Sequence, residues 1–381
     1  MPPRFEILRR EGLARRGRLT TAHGVVETPA FMPVGTLGAV KGVGPLQLAE
    51  LGATIMLANL YHLAVRPGID TIAGLGGLHA FTGWSGPLIT DSGGFQVMSL
   101  ARLRQVDDVA VTFRSHLDGA ALRFTPEDVV TMQERLGVDL AMVLDECPPY
   151  PAERGAVEAA AARTAAWAER SLAARRERHG ALFGIVQGGV HRELREAAAA
   201  RISGMGFDGH AIGGVSVGEP AAERRAVVEW TAPLLPDDRP RYLMGVGTPA
   251  DLLHAVEHGV DLFDCVLPTR NARHGVLFTR SGLLRIKNAV FRDDPRPVDE
   301  ACGCPACRSV SRAFLHHLVK AGELTGAVLA TLHNVRLYLD FMAQLRQALE
   351  AGELAQRAPR LRRQAAGEEA VETSPAANHP H

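Results

Sequence analysis

The chain has 381 residues, 46% hydrophobic and 22% charged, with 42 Lys/Arg against 42 Asp/Glu and a formal net charge of zero. This balance excludes a disordered polyelectrolyte and confines any nucleic-acid surface to a local patch. No apolar run reaches the length of a membrane span, and the N-terminus MPPRFEILRREGLARRGRL has no apolar secretory core, which predicts a cytosolic protein without a membrane partner.

From about residue 38 to residue 264, short apolar runs alternate with helical stretches. The runs are GAVKG near Val40, TIMLANL from Thr54, PLIT from Pro87, LAMVL from Leu140, LFGIV from Leu182, HAIGG from His210, YLMGV from Tyr242 and VDLFD from Val260. Most are apolar throughout, as strands are when both sheet faces are covered. Between them, Thr125-Pro126-Glu127-Asp128 reads as an N-cap, a first-turn proline and a capping-box acid, with Gly137 as the stop. Thr248-Pro249-Ala250-Asp251 repeats the start, and Gly259 the stop. Glu153 to Arg178 is rich in helix formers.

Eight strand–helix units over roughly 250 residues predict an α/β fold of the TIM-barrel, (β/α)8, type. A doubly wound sheet is the alternative, but no G-x-G-x-x-G follows the first strand. The catalytic barrel is assigned to residues 1–274. Val109–Phe113, Asp118-Gly119 and ALRF read as a β-hairpin inserted over about 106–124. Residues 275–350 hold a metal-binding subdomain and a closing barrel helix, with an apolar stripe at Val328, Leu332, Val335, Leu339 and Met342. The tail, 358–381, is expected to be disordered.

The chemistry collects at the strand ends. In a TIM barrel, polar residues past the C-terminal ends of the strands face one mouth. Asp91, Asp145 and Asp264 stand there, and Gln187-Gly188-Gly189 and Gly213-Gly214-Val215 follow two further strands. Each aspartate taken singly could equally cap a helix. Together they suit a barrel enzyme acting on a glycosidic or phosphate-linked substrate; in glycosidic chemistry one carboxylate attacks or stabilises the anomeric carbon and another moves protons. A carboxamide beside open backbone suits a purine edge.

Three of the five cysteines form Cys302-x-Cys304-x-x-Cys307, thiolates close enough for a structural tetrahedral Zn2+. The fourth ligand could be His316, His317 or His333, and spacing does not choose. Residues 270–320 carry ten Lys/Arg against four acids, a local excess of six. It follows the Asp264 strand directly and predicts a salt-sensitive RNA surface with Arg270, Arg273 and Lys287.

The motifs DSGGFQVMSL, LDECPPYP, GIVQGG, AIGGVSVGEP, YLMGVG and FDCVLPTR, followed by C-x-C-x-x-C and LHN, resemble in this order the bacterial tRNA-guanine transglycosylases (queuine tRNA-ribosyltransferase family). The resemblance reaches about residue 350. It implies exchange of the wobble guanine of tRNAs with GUN anticodons for 7-aminomethyl-7-deazaguanine (preQ1), through a covalent aspartyl–ribose intermediate. On it, Asp264 is the nucleophile and Asp91 the general acid/base, which also contacts the base. Asp145 binds N1 and the exocyclic amine, Gln187 and the Gly214 N–H read the O6 side, and the Val215 carbonyl takes the aminomethyl group. Phe95 stacks on the base, Cys147 lies beside it and Ser92 supports the site near the ribose. Cys302, Cys304, Cys307 and His333 hold one zinc, and the family is homodimeric. Phe95 stands where some relatives carry Tyr, and Val215 where many bacterial relatives carry Leu. Val217 is bulkier than the Gly of eukaryotic relatives, which favours preQ1 over queuine. A hydrolase on the same barrel and a non-catalytic RNA-binding subunit are the rival readings.

Overall fold

The computed structural model describes residues 3–94, 104–115, 119–176 and 180–366. The chain opens with an antiparallel sheet, β1 (Arg4–Glu11), β2 (Ala14–Thr21) and β3 (Gly24–Thr28), where the sequence reading assigned no element. Its pattern is not one of apolar alternation, because β2 turns a charged residue inward. Arg15 is fully buried, its Nε donating to Asp261 at 3.2 Å. A buried charge survives only when paired in this way.

The barrel follows: β4 (Ala30–Pro33), β5 (Met56–Ala58) and β6 (Leu88–Thr90), then five further strands after an inserted sheet. The insertion is β7 (Arg104–Val106), β8 (Val111–Arg114) and β9 (Ala121–Phe124), antiparallel in that order. The expected hairpin is therefore three strands. Val109 and Ala110 are not in a strand but in a turn, where both N–H groups donate to Asp107 Oδ1 at 2.8 Å. The remaining barrel strands are β10 (Leu140–Met142), β11 (Ala181–Val186), β12 (Gly209–Ile212), β13 (Arg241–Leu243) and β14 (Leu262–Cys265). The parallel order is β4-β14-β13-β12-β11-β10-β6-β5, and a Val34–Leu57 bridge joins its two ends. The TIM barrel is borne out.

One predicted strand is displaced. The first barrel strand is Ala30–Pro33, not the run near Val40. Gly38 and Gly42 flank that run at φ +77° and +81°, so it is held in turns although Val40 is buried. The helices keep their signals. Thr125 Oγ accepts from the Asp128 N–H at 3.1 Å while Asp128 Oδ2 accepts from the Thr125 N–H, a reciprocal cap worth about 1 kcal/mol to the helix Pro126–Leu136. The Ala-rich helix spans Arg154–Ala174, shorter than read.

Past the barrel, β15 (Val276–Thr279) and β16 (Gly282–Arg285) form a hairpin against the long helix Leu324–Ala351. That helix buries Leu332, Val335 and Met342 of the expected stripe. Its Asn334 is fully buried, accepting from the Phe278 N–H at 2.9 Å and donating to the carbonyls of Pro268 and Val276. One side chain thus ties hairpin, helix and the segment after β14 together. The start of the tail departs from expectation: Leu354–Ala366 is helical, with Leu354, Ala358 and Leu361 buried at i, i+4 and i+7. Residues 367–381 lie outside the described residues. No described helix is long and apolar enough to cross a membrane.

Candidate active site

A cavity of about 370 Å³ opens at the C-terminal ends of the barrel strands. It is lined by Asp91, Asp145 and Asp264 and by Ser92, Cys147, Gly214, Val215, Val217 and Arg270. The strand-end aspartates therefore meet in one place. Each is held differently, and each is displaced upward from the ordinary carboxylate range by burial.

Asp91, directly after β6, accepts from Asn59 Nδ2 at 2.6 Å and from the Leu60 N–H at 2.8 Å. Burial raises its pKa to about 6 against those two bonds, and the charges of Asp264 and Asp145 add to the rise. Asp145 accepts from Ser92 Oγ at 3.1 Å and Gln187 Nε2 at 2.7 Å, and burial again outweighs the bonds, to about 6. Asp264, in β14, takes both its donors on one oxygen. Tyr242 O–H lies 2.6 Å and the Gly245 N–H 2.8 Å from Oδ1. Burial pushes its pKa up, with those donors opposing. Among the described residues Oδ2 accepts no hydrogen bond, and Asp264 lines the cavity.

The loops after β11 and β12 are fastened from behind by Arg195. Its guanidinium is fully buried and donates to the carbonyls of Val186, Gly189, Gly213 and Gly214, at 2.8 to 3.2 Å. A trans peptide is planar, so anchoring the Gly213 carbonyl on Arg195 turns the Gly214 N–H the opposite way. That N–H meets Cys147, whose buried thiol is pushed up to about 12 and stays protonated. Gly214 has φ +66°, and a Cβ there would overlap Gln187 Oε1, a buried oxygen without a partner among the described residues. Gly94 is equally constrained, since a Cβ would overlap Asp145 Oδ1. Next along, Ser216 adopts φ +62°, unusual for a side-chain-bearing residue. The buried Glu219 carboxylate holds it, accepting from the N–H groups of Ser216 and Val217 at 2.6 and 2.9 Å.

Gln187 contacts Asp145 but does not itself line the cavity. Phe95 lies outside the described residues. Arg270 lies at the rim, on the short helix Leu267–Arg273, and Arg273 is exposed on the same helix. Partial burial and the charge of Arg270 both depress Arg273's pKa, so the two cations are neighbours. Lys287 is exposed past β16 and lies away from the cavity lining.

Cys302, Cys304, Cys307 and His333 bring their ligand atoms within 4.8 Å of one another. His333 Nε2 donates to the Phe278 carbonyl at 2.7 Å, which leaves Nδ1 unprotonated, 3.2 Å from Cys307 Sγ and 3.6 Å from Cys304 Sγ. An imidazole oriented through its far nitrogen beside three thiols is the donor set of a closed tetrahedral site. His316 instead bonds the Ile286 carbonyl. The Cys3His group can hold a metal ion.

Sequence reasoning missed Asn59, Tyr242, Arg195 and Glu219. Asn59 had a signal, a polar residue at the end of TIMLANL. Tyr242 was hidden in an apolar run. Arg195 and Glu219 act on backbone groups, and nothing in their local sequence marks them.

Comparison with known proteins identifies the family. The sequence model of the family described as Queuine tRNA-ribosyltransferase matches residues 10–366. A queuine tRNA-ribosyltransferase of Nitrosomonas europaea is 52% identical over 353 residues, covering 93% of this chain and 95% of that protein. That of Thiobacillus denitrificans is 52% identical over 348 residues, covering 91% and 95%. That of Nitrosospira multiformis is 51% identical over 366 residues, covering 95% and 100%. With a barrel, a carboxylate-lined mouth and a match across nearly its whole length, the chain belongs to the queuine tRNA-ribosyltransferase family of glycosyl-transferring, tRNA-modifying enzymes.

Proposed function

We propose that the chain, as a cytoplasmic homodimer, exchanges the wobble guanine of tRNAs with GUN anticodons for preQ1 through a covalent aspartyl–ribose intermediate. The observation that carries this reading is the pairing of two unlike carboxylates in one cavity. Asp264 has one oxygen fixed by Tyr242 and Gly245 and the other without a hydrogen bond among the described residues. Asp91 sits near pH 6, where a group can both accept and return a proton.

In the proposed sequence, Asp264 Oδ2 attacks C1′ of the ribose. The C1′–N9 bond breaks, its electron pair leaves with guanine, and protonated Asp91 gives its proton to the leaving base, which departs neutral and leaves Asp91 ionised. PreQ1 then enters, Asp91 takes the proton from its attacking nitrogen, and that nitrogen displaces Asp264 from C1′. The strand is never cut, as in a retaining glycosidase with a base in place of water. The flipped base would stack on Phe95, beside Cys147. Asp145 would accept from N1 and the exocyclic amine, with Ser92 holding that carboxylate. Gln187 and the Gly214 N–H would read O6, and the Val215 carbonyl would take the aminomethyl group. Val217, at the cavity wall, would leave too little room for queuine. Arg270, Arg273 and Lys287 would meet the anticodon arm, and binding would weaken with salt. Zinc, held by Cys302, Cys304, Cys307 and His333, would supply structure alone, fixing the hairpin of β15 and β16 to the long helix.

The test is incubation with labelled guanine and unmodified tRNA bearing a GUN anticodon. Retention of label in the RNA by the wild type, and none by Asp264→Asn, supports exchange. Release of guanine without incorporation would make the protein a hydrolase. Binding of tRNA with neither would make it a non-catalytic subunit.

A further inference from the structure

We propose that Glu229, His254 and His258 form a second metal site, for a late first-row divalent ion such as Ni2+ or Zn2+, on the outer helical layer of the barrel. His254 lies on the helix Pro249–Glu257 and His258 caps its end. Four residues apart, they share one face. Their ring centres are 4.4 Å apart with planes inclined 39°, so the rings are tilted rather than stacked. Glu229 comes from the neighbouring helix Ala221–Thr231, with Oε1 3.4 Å from His254 Nε2. One ligand atom from each residue lies within 4.8 Å of the others, close to the span of donors placed about 2.0–2.2 Å from a shared ion. Two imidazoles and a carboxylate suit these metals.

The hydrogen bonds favour the ligating form. His258 Nδ1 lies 2.7 Å from the His254 carbonyl, which can only accept, so Nδ1 carries the proton and Nε2 presents a lone pair. A backbone carbonyl commonly orients metal-bound histidines in this way. His254 Nε2 sits 3.4 Å from both Glu229 Oε1 and the Arg225 carbonyl, at the long limit of a hydrogen bond. Moving its proton to Nδ1 frees Nε2 with no net proton exchange. Arg225, on the same helix as Glu229, is engaged by Asp251 at 2.9 Å.

A second histidine cluster shows why geometry decides. His23, His79 and Asp139 also bring three ligand atoms within 4.8 Å. Their two rings, however, stack at 3.6 Å with planes only 19° apart. Imidazole lone pairs lie in the ring plane, and two nearly parallel planes at that spacing cannot both contain one ion. The nitrogens are also engaged, His23 Nδ1 with Asp139 at 2.9 Å and His79 Nε2 with the Gly86 carbonyl at 3.1 Å. This cluster is a hydrogen-bonded tie, and it serves as the control.

The experiment is calorimetric titration of the full-length protein, its Cys3His site loaded with zinc, with Ni2+. The expected result is one further equivalent. His258→Ala and Glu229→Gln each weaken it at least about tenfold. It weakens at about pH 5.5, where protonated imidazole cannot ligate. His23→Ala leaves it intact, and base exchange by His258→Ala is unchanged. No further equivalent, equal affinity in His258→Ala and Glu229→Gln, or loss in His23→Ala would overturn the proposal.

Discussion

Replacing Tyr242 with Phe isolates one interaction at the proposed nucleophile. The ring is buried, and Phe keeps its packing. What disappears is the hydroxyl 2.6 Å from Asp264 Oδ1, one of the two donors that oppose the upward push of burial on that carboxyl. A hydrogen bond to a charged group contributes about 1.5–3 kcal/mol, which is roughly 10- to 150-fold in a rate that depends on the ionised form. Asp264 therefore becomes harder to ionise, and the acidic limb of the kcat/KM profile moves to higher pH. The loss is predicted to be largest on the acidic limb and to shrink toward alkaline pH, where the carboxylate is ionised in either protein. The assay is exchange of labelled guanine into tRNA across that range. An unchanged rate with an unchanged profile would refute the idea that Tyr242 stabilises an ionised Asp264.

Other consequences follow from the same geometry. Asp91 at about 6 rather than 3.8 carries roughly 3 kcal/mol of unfavourable ionisation above pH 7. The native state binds more protons than the unfolded one between those values, so this destabilisation is complete above pH 6 and absent below about pH 4. Asp91→Asn should lose exchange yet gain up to about 3 kcal/mol of stability at pH 7.5, with the gain fading by pH 4 in denaturant melts. Arg195→Lys cannot serve four carbonyls, and the freed Gly213–Gly214 peptide should raise KM for the base by about tenfold or more with a smaller effect on kcat. Metal analysis of protein dialysed against a weak chelator should find one tightly held zinc per chain, and Cys304→Ser should lose it and lower Tm, because the hairpin of β15 and β16 is tied to the long helix partly through His333.

Much of the barrel was legible because its strands are buried on both faces and read as apolar runs. The failures have particular causes. GAVKG is apolar and buried, yet Gly38 and Gly42 place it in turns, and burial alone does not distinguish a strand from a packed loop. The N-terminal sheet was invisible because Arg15 occupies a buried position that a hydrophobic pattern assigns to an apolar side chain. The helix Leu354–Ala366 was lost among arginines, although Leu354, Ala358 and Leu361 carry its spacing. At the site, Asp91 and Asp145 were readable from their place after strands and Asp264 from its place near the end of one. The choice of His333 rested on resemblance until its bond to Phe278 appeared. Tyr242 and Arg195 act through contacts 22 and 18 residues distant in sequence, beyond any local motif.

The covalent step is tested most directly by mixing protein and tRNA without competing base, denaturing, and mapping the RNA-linked peptide by mass spectrometry. The account predicts a tRNA–protein adduct that survives denaturation, carries the modification on Asp264, is discharged by added guanine, and is absent in Asp264→Asn. Efficient base exchange by Asp264→Asn, or an adduct mapped to Asp91 or Asp145, would contradict it.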